Sequence, residues 1–158
     1  MPDRTESSMQ IPAPAPHVVE VLADFPAYAS WNREVKQVEV LSTEGDGWPD
    51  RVRFELDTGM IKDTYVLDYD WHIAHDGTGS LSWEMVEART LRDLVGSYTI
   101  TSSPSGTLVT YRLTLRPKVP MLGALRRKVE QMVVTSSLTS LRERVLQVHP
   151  ATPEGETP

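Results

Sequence analysis

No cysteine occurs among the 158 residues, which rules out disulfide staples and thiolate chemistry together. Long apolar runs are missing as well, and no stretch approaches the ~20 residues that a membrane-spanning helix needs. The opening MPDRTESS has neither the basic nor the apolar region of a secretory signal, so export by that route is not expected and a cytoplasmic location is the simplest reading. Positive charge is in deficit: 16 Lys and Arg stand against 22 Asp and Glu, for a formal net charge of −6. Neutralising phosphates needs a concentrated basic surface, so general nucleic-acid binding is excluded too.

What is present has the composition of a folded protein. A hydrophobic fraction of 39% and a charged fraction of 24% fit neither wholesale disorder nor a membrane architecture. A single domain of this length buries roughly 70% of its unfolded surface, enough for one core or for a core around a cavity. The tail HPATPEGETP has the Pro, Glu and Thr bias of a disordered end. The expected domain is therefore 7–148, with residues 1–6 and 149–158 outside it.

A short strand near Ser8 to Ile11 leads into PAPAP, and Pro16 at a first helical position opens a helix through Ala23 with Val18, Val19 and Leu22 on its apolar side. Asp24 and Pro26 stop that helix and begin another turn, which the Asp24 carboxylate is expected to cap. From Val35 onward the hydrophobic period becomes two. The turn signals GDGWPD, DGTGS and SPSG then separate strands over 36–42, 51–58, 62–72, 81–87, 91–102 and 107–117. Alternation gives each strand one wet face and one dry face, as an antiparallel sheet requires.

After RPKVP the chain reads as helix from Met121 to Val148. Leu122, Leu125, Val129, Met132, Val133 and Ser136 form one stripe; Val134, Leu138, Leu141, Val145 and Val148 form another, turned more than about 100° away. Such a helix either bends near TSS or is surrounded on nearly all sides. Both suit an α+β arrangement, in the order β-α-α-β6-α, in which a curved antiparallel sheet wraps the terminal helix and leaves an internal cavity.

The dry face carries Phe54, Tyr65, Tyr69, Trp71, Trp83, Met85, Tyr98 and Tyr111, with Tyr28 and Trp31 added by the opening loop and Val129, Met132, Val133 and Ser136 by the helix. Phenol and indole side chains bury large apolar areas but need a partner for the polar end. A cavity holding a small hydrophobic molecule supplies one, and these residues are its expected lining.

Outside that wall the chemistry is sparse. No nucleophile is paired with a base, and Ser136 and Thr139 are expected to pack rather than react. His72 and His75, flanked by Asp70 and Asp76, lie on the wet register, so no metal and no cofactor are expected there. From Arg112 to Val129 the bases Arg112, Arg116, Lys118, Arg126, Arg127 and Lys128 occur without one acid. That run is either a solvated face or a dock for an anionic carrier or membrane surface.

Three segments carry a family resemblance: APAPHVVEVLADFPAYASWNREVKQVEVL, LSWEMVEARTLRDLVGSYTI and GTLVTYRLTLRPKVP. They hold an Asp-aromatic-x-x-Tyr-x-x-Trp segment (Asp24 to Trp31), a Trp followed later by Gly-x-aromatic (Trp83, Gly96, Tyr98), and a Gly-Thr-x-Val-x-Tyr strand (Gly106 to Tyr111). In these the chain resembles the START-like helix-grip (SRPBCC) superfamily, in its polyketide cyclase/dehydratase and lipid-transport branch. The resemblance implies a carrier of a polyketide-like or lipid-like molecule. As the alternative, it implies an aromatase/cyclase or dehydratase working on a carrier-bound polyketide, with Tyr69 and Tyr111 as the candidate catalytic donors and Arg126, Arg127 and Lys128 facing an acyl carrier protein. A partner-binding subunit with a vestigial cavity is the remaining alternative. The inward Arg associated with that chemistry has no counterpart in the pattern, since Arg53 and Arg112 fall on the outward register.

Overall fold

The period-two segments assemble into one antiparallel sheet. In a computed structural model that describes residues 5–150 apart from 44, 46 and 60, β1 (Thr5–Ile11) precedes α1 (Ala15–Ala23), a 3-10 turn (Phe25–Ala27) and the short α2 (Tyr28–Trp31). β2 (Val35–Thr43), β3 (Pro49–Asp57), β4 (Lys62–Ile73), β5 (Gly79–Glu87), β6 (Leu91–Ser103) and β7 (Gly106–Pro117) follow, and α3 (Gly123–Val148) is the last element. The sheet order is β1-β7-β6-β5-β4-β3-β2. Successive strands from β2 to β7 are thus hairpin neighbours, and β1 returns to pair with β7, Ser7 opposite Tyr111.

β1 begins at Thr5, so Thr5 and Glu6, expected in a disordered start, are strand residues. They are held there by side chains: Thr5 Oγ1 donates to Glu130 Oε1 at 2.8 Å and Glu6 accepts from Arg112 Nε at 2.8 Å. At the other end His149, expected in the tail, stacks on His17 with ring centroids 3.9 Å apart. The rest of the expected disordered ends, 1–4 and 151–158, lies outside the described residues.

α1 buries Val18, Val19, Val21 and Leu22, the amphipathic face its spacing predicts. Asp24 does not cap the turn after it: its side chain makes no capping bond, and the turn is closed by Ala27 N–H donating to the Asp24 carbonyl at 3.2 Å. With Pro26 lacking an N–H, that turn has one donor fewer to satisfy.

α3 departs most from expectation. It buries one side only, with Val129, Glu130, Val133, Val134, Ser137, Leu138, Leu141 and Val145 turned inward. Leu122, Leu125 and Met132 from one expected stripe and Val148 from the other are exposed. Two polar residues on the buried face explain the difference. Glu130 is fully buried because three donors reach it: Thr5 Oγ1, Leu115 N–H at 2.7 Å and Arg126 Nη1 at 2.8 Å. Ser137 accepts from Asn32 Nδ2 at 3.4 Å. A pattern that sends every polar residue outward rotates the helix away from its real face, whereas a satisfied polar group is tolerated inside.

Asp63 follows the same rule on the inner side of β4. Its carboxylate accepts from the backbone N–H groups of Arg89, Thr90 and Leu91 at 2.8, 3.0 and 2.9 Å, which fastens the β5–β6 turn across β4.

Candidate functional site

Residues of six neighbouring strands meet on one side of the sheet. β2 supplies Val35, β3 Phe54 and Leu56, β4 Tyr65, Leu67 and Tyr69, β5 Trp83, β6 Leu94 and Tyr98, and β7 Tyr111, Leu113 and Leu115; Tyr28, Asn32 and Val133 complete the lining. Together they bound a cavity of about 60 Å³. The chain has five tyrosines in all, and every one of them is on this wall.

The rings form a connected set. Phe54 stacks on Tyr65 at 5.4 Å, Tyr98 lies 4.4 Å from Tyr111, and Trp83 sits 5.6 Å from Tyr69 and 5.8 Å from both Tyr98 and Tyr111. Trp83 lies flat because the neighbouring strand has no side chain beneath it. A Cβ built on Gly96 would come within 2.4 Å of Trp83 Cζ2 and 2.7 Å of the Arg112 carbonyl oxygen. The pairing of Trp83 with Gly96 across β5 and β6 is the physical content of the Trp, Gly-x-aromatic pattern.

The polar atoms of this wall are mostly unspent. Tyr28 donates its hydroxyl to the Leu22 carbonyl. The hydroxyls of Tyr65, Tyr69, Tyr98 and Tyr111 have no hydrogen-bond partner among the described residues, and the buried Nε1 of Trp83 has none either. Burial pushes the pKa of all five phenols above the ordinary value near 10, and the Coulombic influence of neighbouring groups adds to it. At neutral pH they are therefore hydrogen-bond donors and not phenolate bases.

Because folded pKa values exceed unfolded ones, the folded state binds more protons above pH ~10 and its stability falls as pH rises further. All five tyrosines are then expected to ionise together with alkaline unfolding, in one cooperative step of phenolate absorbance matching the loss of circular dichroism. Ionisation of two or more phenols near the ordinary value, with the fold intact, would contradict their burial.

A second polar group stands at the edge of this wall. Glu34 is 8% exposed and its Oε1 is buried without a partner. Its N–H donates to Asn32 Oδ1 at 3.2 Å, and its charge contributes, after burial, to the raised pKa of Tyr111. Asn32, Glu34, Leu94 and Ser137 were not singled out by the sequence. The first two follow directly on the aromatic motif ending at Trp31, which was the available signal.

Of the expected lining, Tyr28, Phe54, Tyr65, Tyr69, Trp83, Tyr98, Tyr111 and Val133 meet at the cavity, and six others do not. Trp71 has the right parity but lies at the far end of β4, where it stacks on Trp48 at 4.8 Å and donates to the Pro49 carbonyl at 2.6 Å. Met85 is half-buried near the end of β5. Trp31 faces a separate open groove between α2 and α3, beside Ser140 and Glu143. Val129 is buried away from the cavity, Met132 is exposed, and Ser136 is half-buried, one position short of the inward Ser137.

Among the described residues no group of three or more His, Asp or Glu is placed to hold a metal ion; His72 instead meets Asp70 at 2.9 Å on the surface. No helix among them is long and apolar enough to cross a membrane. Arg126, expected in a free basic cluster, is directed at Glu130 and its side chain is only 16% exposed.

Comparison with known proteins agrees with this geometry. The family model described as polyketide cyclase/dehydrase and lipid transport matches residues 2–146. No curated protein matches. Among solved structures, a START superfamily protein of Mycobacterium smegmatis superposes with a TM-score of 0.81 at 20% identity, covering 92% of this chain and 98% of that one. The Zhui aromatase/cyclase of a Streptomyces species gives 0.74 at 18% identity, with 93% and 96% covered. A STAR-related lipid transfer protein of Xanthomonas axonopodis gives 0.70 at 20% identity, with 90% and 85% covered.

Proposed function

The chain belongs to the polyketide cyclase/dehydrase and lipid transport family, and from that premise we propose that it encloses a hydrophobic small molecule, polyketide-like or lipid-like, between the concave sheet and α3. The observation that carries this reading is the set of four phenol hydroxyls on an apolar wall with no protein partner. Such hydroxyls, bordering the cavity, are free to donate to an acceptor placed in it. The ligand is accordingly apolar in bulk and carries oxygen acceptors.

Its size has a consequence. A cavity of about 60 Å³ holds a few waters at most, whereas small-molecule sites run to ~300 Å³ or more. The ligand therefore binds a wider conformation than this one. The strands are fixed by their ladders, so the widening falls to the segment carrying Tyr28 and Asn32 and to α3 at Val133.

Native mass spectrometry of protein purified from its host is expected to show a co-purifying hydrophobic molecule. Replacing Tyr69 and Tyr111 together by Phe should weaken its binding by about tenfold, since each lost donor is worth ~0.5–1.5 kcal/mol. The melting temperature should stay constant or rise, because the hydroxyls have no partner in the protein. Protein that repeatedly emerges empty, or a variant that unfolds, would sink the proposal.

A second reading is favoured by Glu34. A buried carboxylate beside a neutral phenol is an acid and base combination suited to aldol closure and dehydration, with Tyr111 donating to an enolate oxygen. On this reading an acyl carrier protein delivers a tethered polyketide to Arg127 and Lys128. The same double variant then retains ligand affinity within about twofold and loses turnover instead.

A further inference from the structure

The part of α3 and its leading loop that the fold leaves uncovered has a chemistry of its own. Val119 and Leu122 are 73% and 80% exposed, and Leu125 and Met132 continue the apolar strip along the outer side of α3 at 36% and 38%. Lys118, Arg127 and Lys128 are exposed beside it. No acid occurs from 112 to 129, and the next one, Glu130, is buried and occupied by its three donors.

The sheet brings a second segment to the same end. Lys118 N–H donates to the Thr90 carbonyl at 2.7 Å, and Leu91 pairs with Pro117. Arg89 and Arg92, both exposed, thereby join the bases of the loop; Glu55 and Asp57 border the groove beside Arg89, Asp57 faces Lys62 at 3.9 Å, Asp63 is buried and taken up by the amides of 89–91, and Asp93 faces Arg116 at 3.9 Å. A chain of net charge −6 thus gathers five exposed cations around its two most exposed large apolar side chains.

We propose that this tip docks the protein on an anionic lipid bilayer, with Val119 and Leu122 entering the interface and Lys118, Arg127, Lys128, Arg89 and Arg92 meeting the headgroups. The side chains favour a bilayer over a protein partner. The two most exposed apolar side chains, Val119 and Leu122, are aliphatic and sit beside Lys118 and Lys128; protein interfaces concentrate aromatic rings and are poor in Lys, and charge complementarity of the five cations to anionic headgroups supplies the rest. Aliphatic insertion flanked by bases is what an interfacial anchor uses. The proposal is independent of whether the cavity holds a ligand.

The test is flotation of the whole protein with vesicles of phosphatidylcholine alone and with about one-third phosphatidylglycerol, at low and high salt. Binding to the anionic vesicles should be at least about tenfold tighter and should weaken with salt. Val119→Asp with Leu122→Asp, and separately Arg127→Glu with Lys128→Glu, should each reduce it by about tenfold or more. Leu122 is the N-cap of α3, where Asp is a favoured residue, so the first variant should keep its helix. Val148→Asp, at the opposite end of α3, is the control and should change nothing, and circular dichroism should confirm that all three variants fold. Equal binding to neutral vesicles, no binding at all, or indifference to both double variants overturns the proposal. So does binding of an acyl carrier protein through these same residues when vesicles are ignored, which would give the tip to a protein partner.

Discussion

Replacing Glu130 with alanine is expected to lower the melting temperature by about 10 °C. The carboxylate is fully buried and joins three parts of the molecule: β1 through Thr5, β7 through the Leu115 amide, and its own helix through Arg126. Alanine leaves the Leu115 N–H without an acceptor and the Arg126 guanidinium, mostly buried, without a counter-charge. Breaking a buried pair from one side costs about 3–5 kcal/mol, and a domain of this size loses about 2–4 °C per kcal/mol. Glu130→Gln keeps the shape and one good acceptor, so about half the effect is expected. Hydrogen exchange adds a local signature, since the β1 amides should lose protection before those of β4 and β5. A loss under about 1 kcal/mol would mean that packing alone holds α3 to the sheet.

The second large effect is expected at Gly96. Its added methyl in Gly96→Ala would sit 2.4 Å and 2.9 Å from Trp83 Cζ2 and Cε2 and 2.7 Å from the Arg112 carbonyl, distances that real atoms do not tolerate. The carbonyl belongs to a paired strand and cannot withdraw, so the indole must. Overpacking of this kind costs about 1–3 kcal/mol, with the upper end expected here because both neighbours are hemmed in. The indole has one direction open to it, toward the cavity. With only about 60 Å³ there to begin with, ligand binding should be abolished, not merely weakened. Calorimetry and near-ultraviolet circular dichroism of the tryptophans would report both losses. Trp83→Leu in the same chain relieves the indole clash but not the 2.7 Å approach to the Arg112 carbonyl, so it should recover only part of the stability and none of the affinity. Full stability and full affinity in the single variant would show that Trp83 has another place to go.

The strands were legible because their alternation is sharp. In β3, Val52, Phe54 and Leu56 stand against Arg53, Glu55 and Asp57, and the structure buries the first three. The same parity placed Tyr65, Tyr69, Trp83, Tyr98 and Tyr111 correctly. Parity fixes a face, however, and not a position along the strand, so Trp71 and Met85 were assigned to a cavity that ends before it reaches them. The face of α3 was hidden for a different reason. Glu130 and Ser137 are held inward in part by partners more than 100 residues away in sequence, Thr5 and Asn32, and of the donors to Glu130 only Arg126 lies within reach of a local pattern. Asp24 looked like a cap by residue type, while the backbone closed the turn without it.

The crowding of Trp83 by Tyr69, Tyr98 and Tyr111 has an optical outcome. Light absorbed by those phenols passes to the nearest indole, and of the four tryptophans only Trp83 borders the cavity. Any guest entering there must touch either the antenna or the emitter, so the protein's own fluorescence should register occupancy without a label.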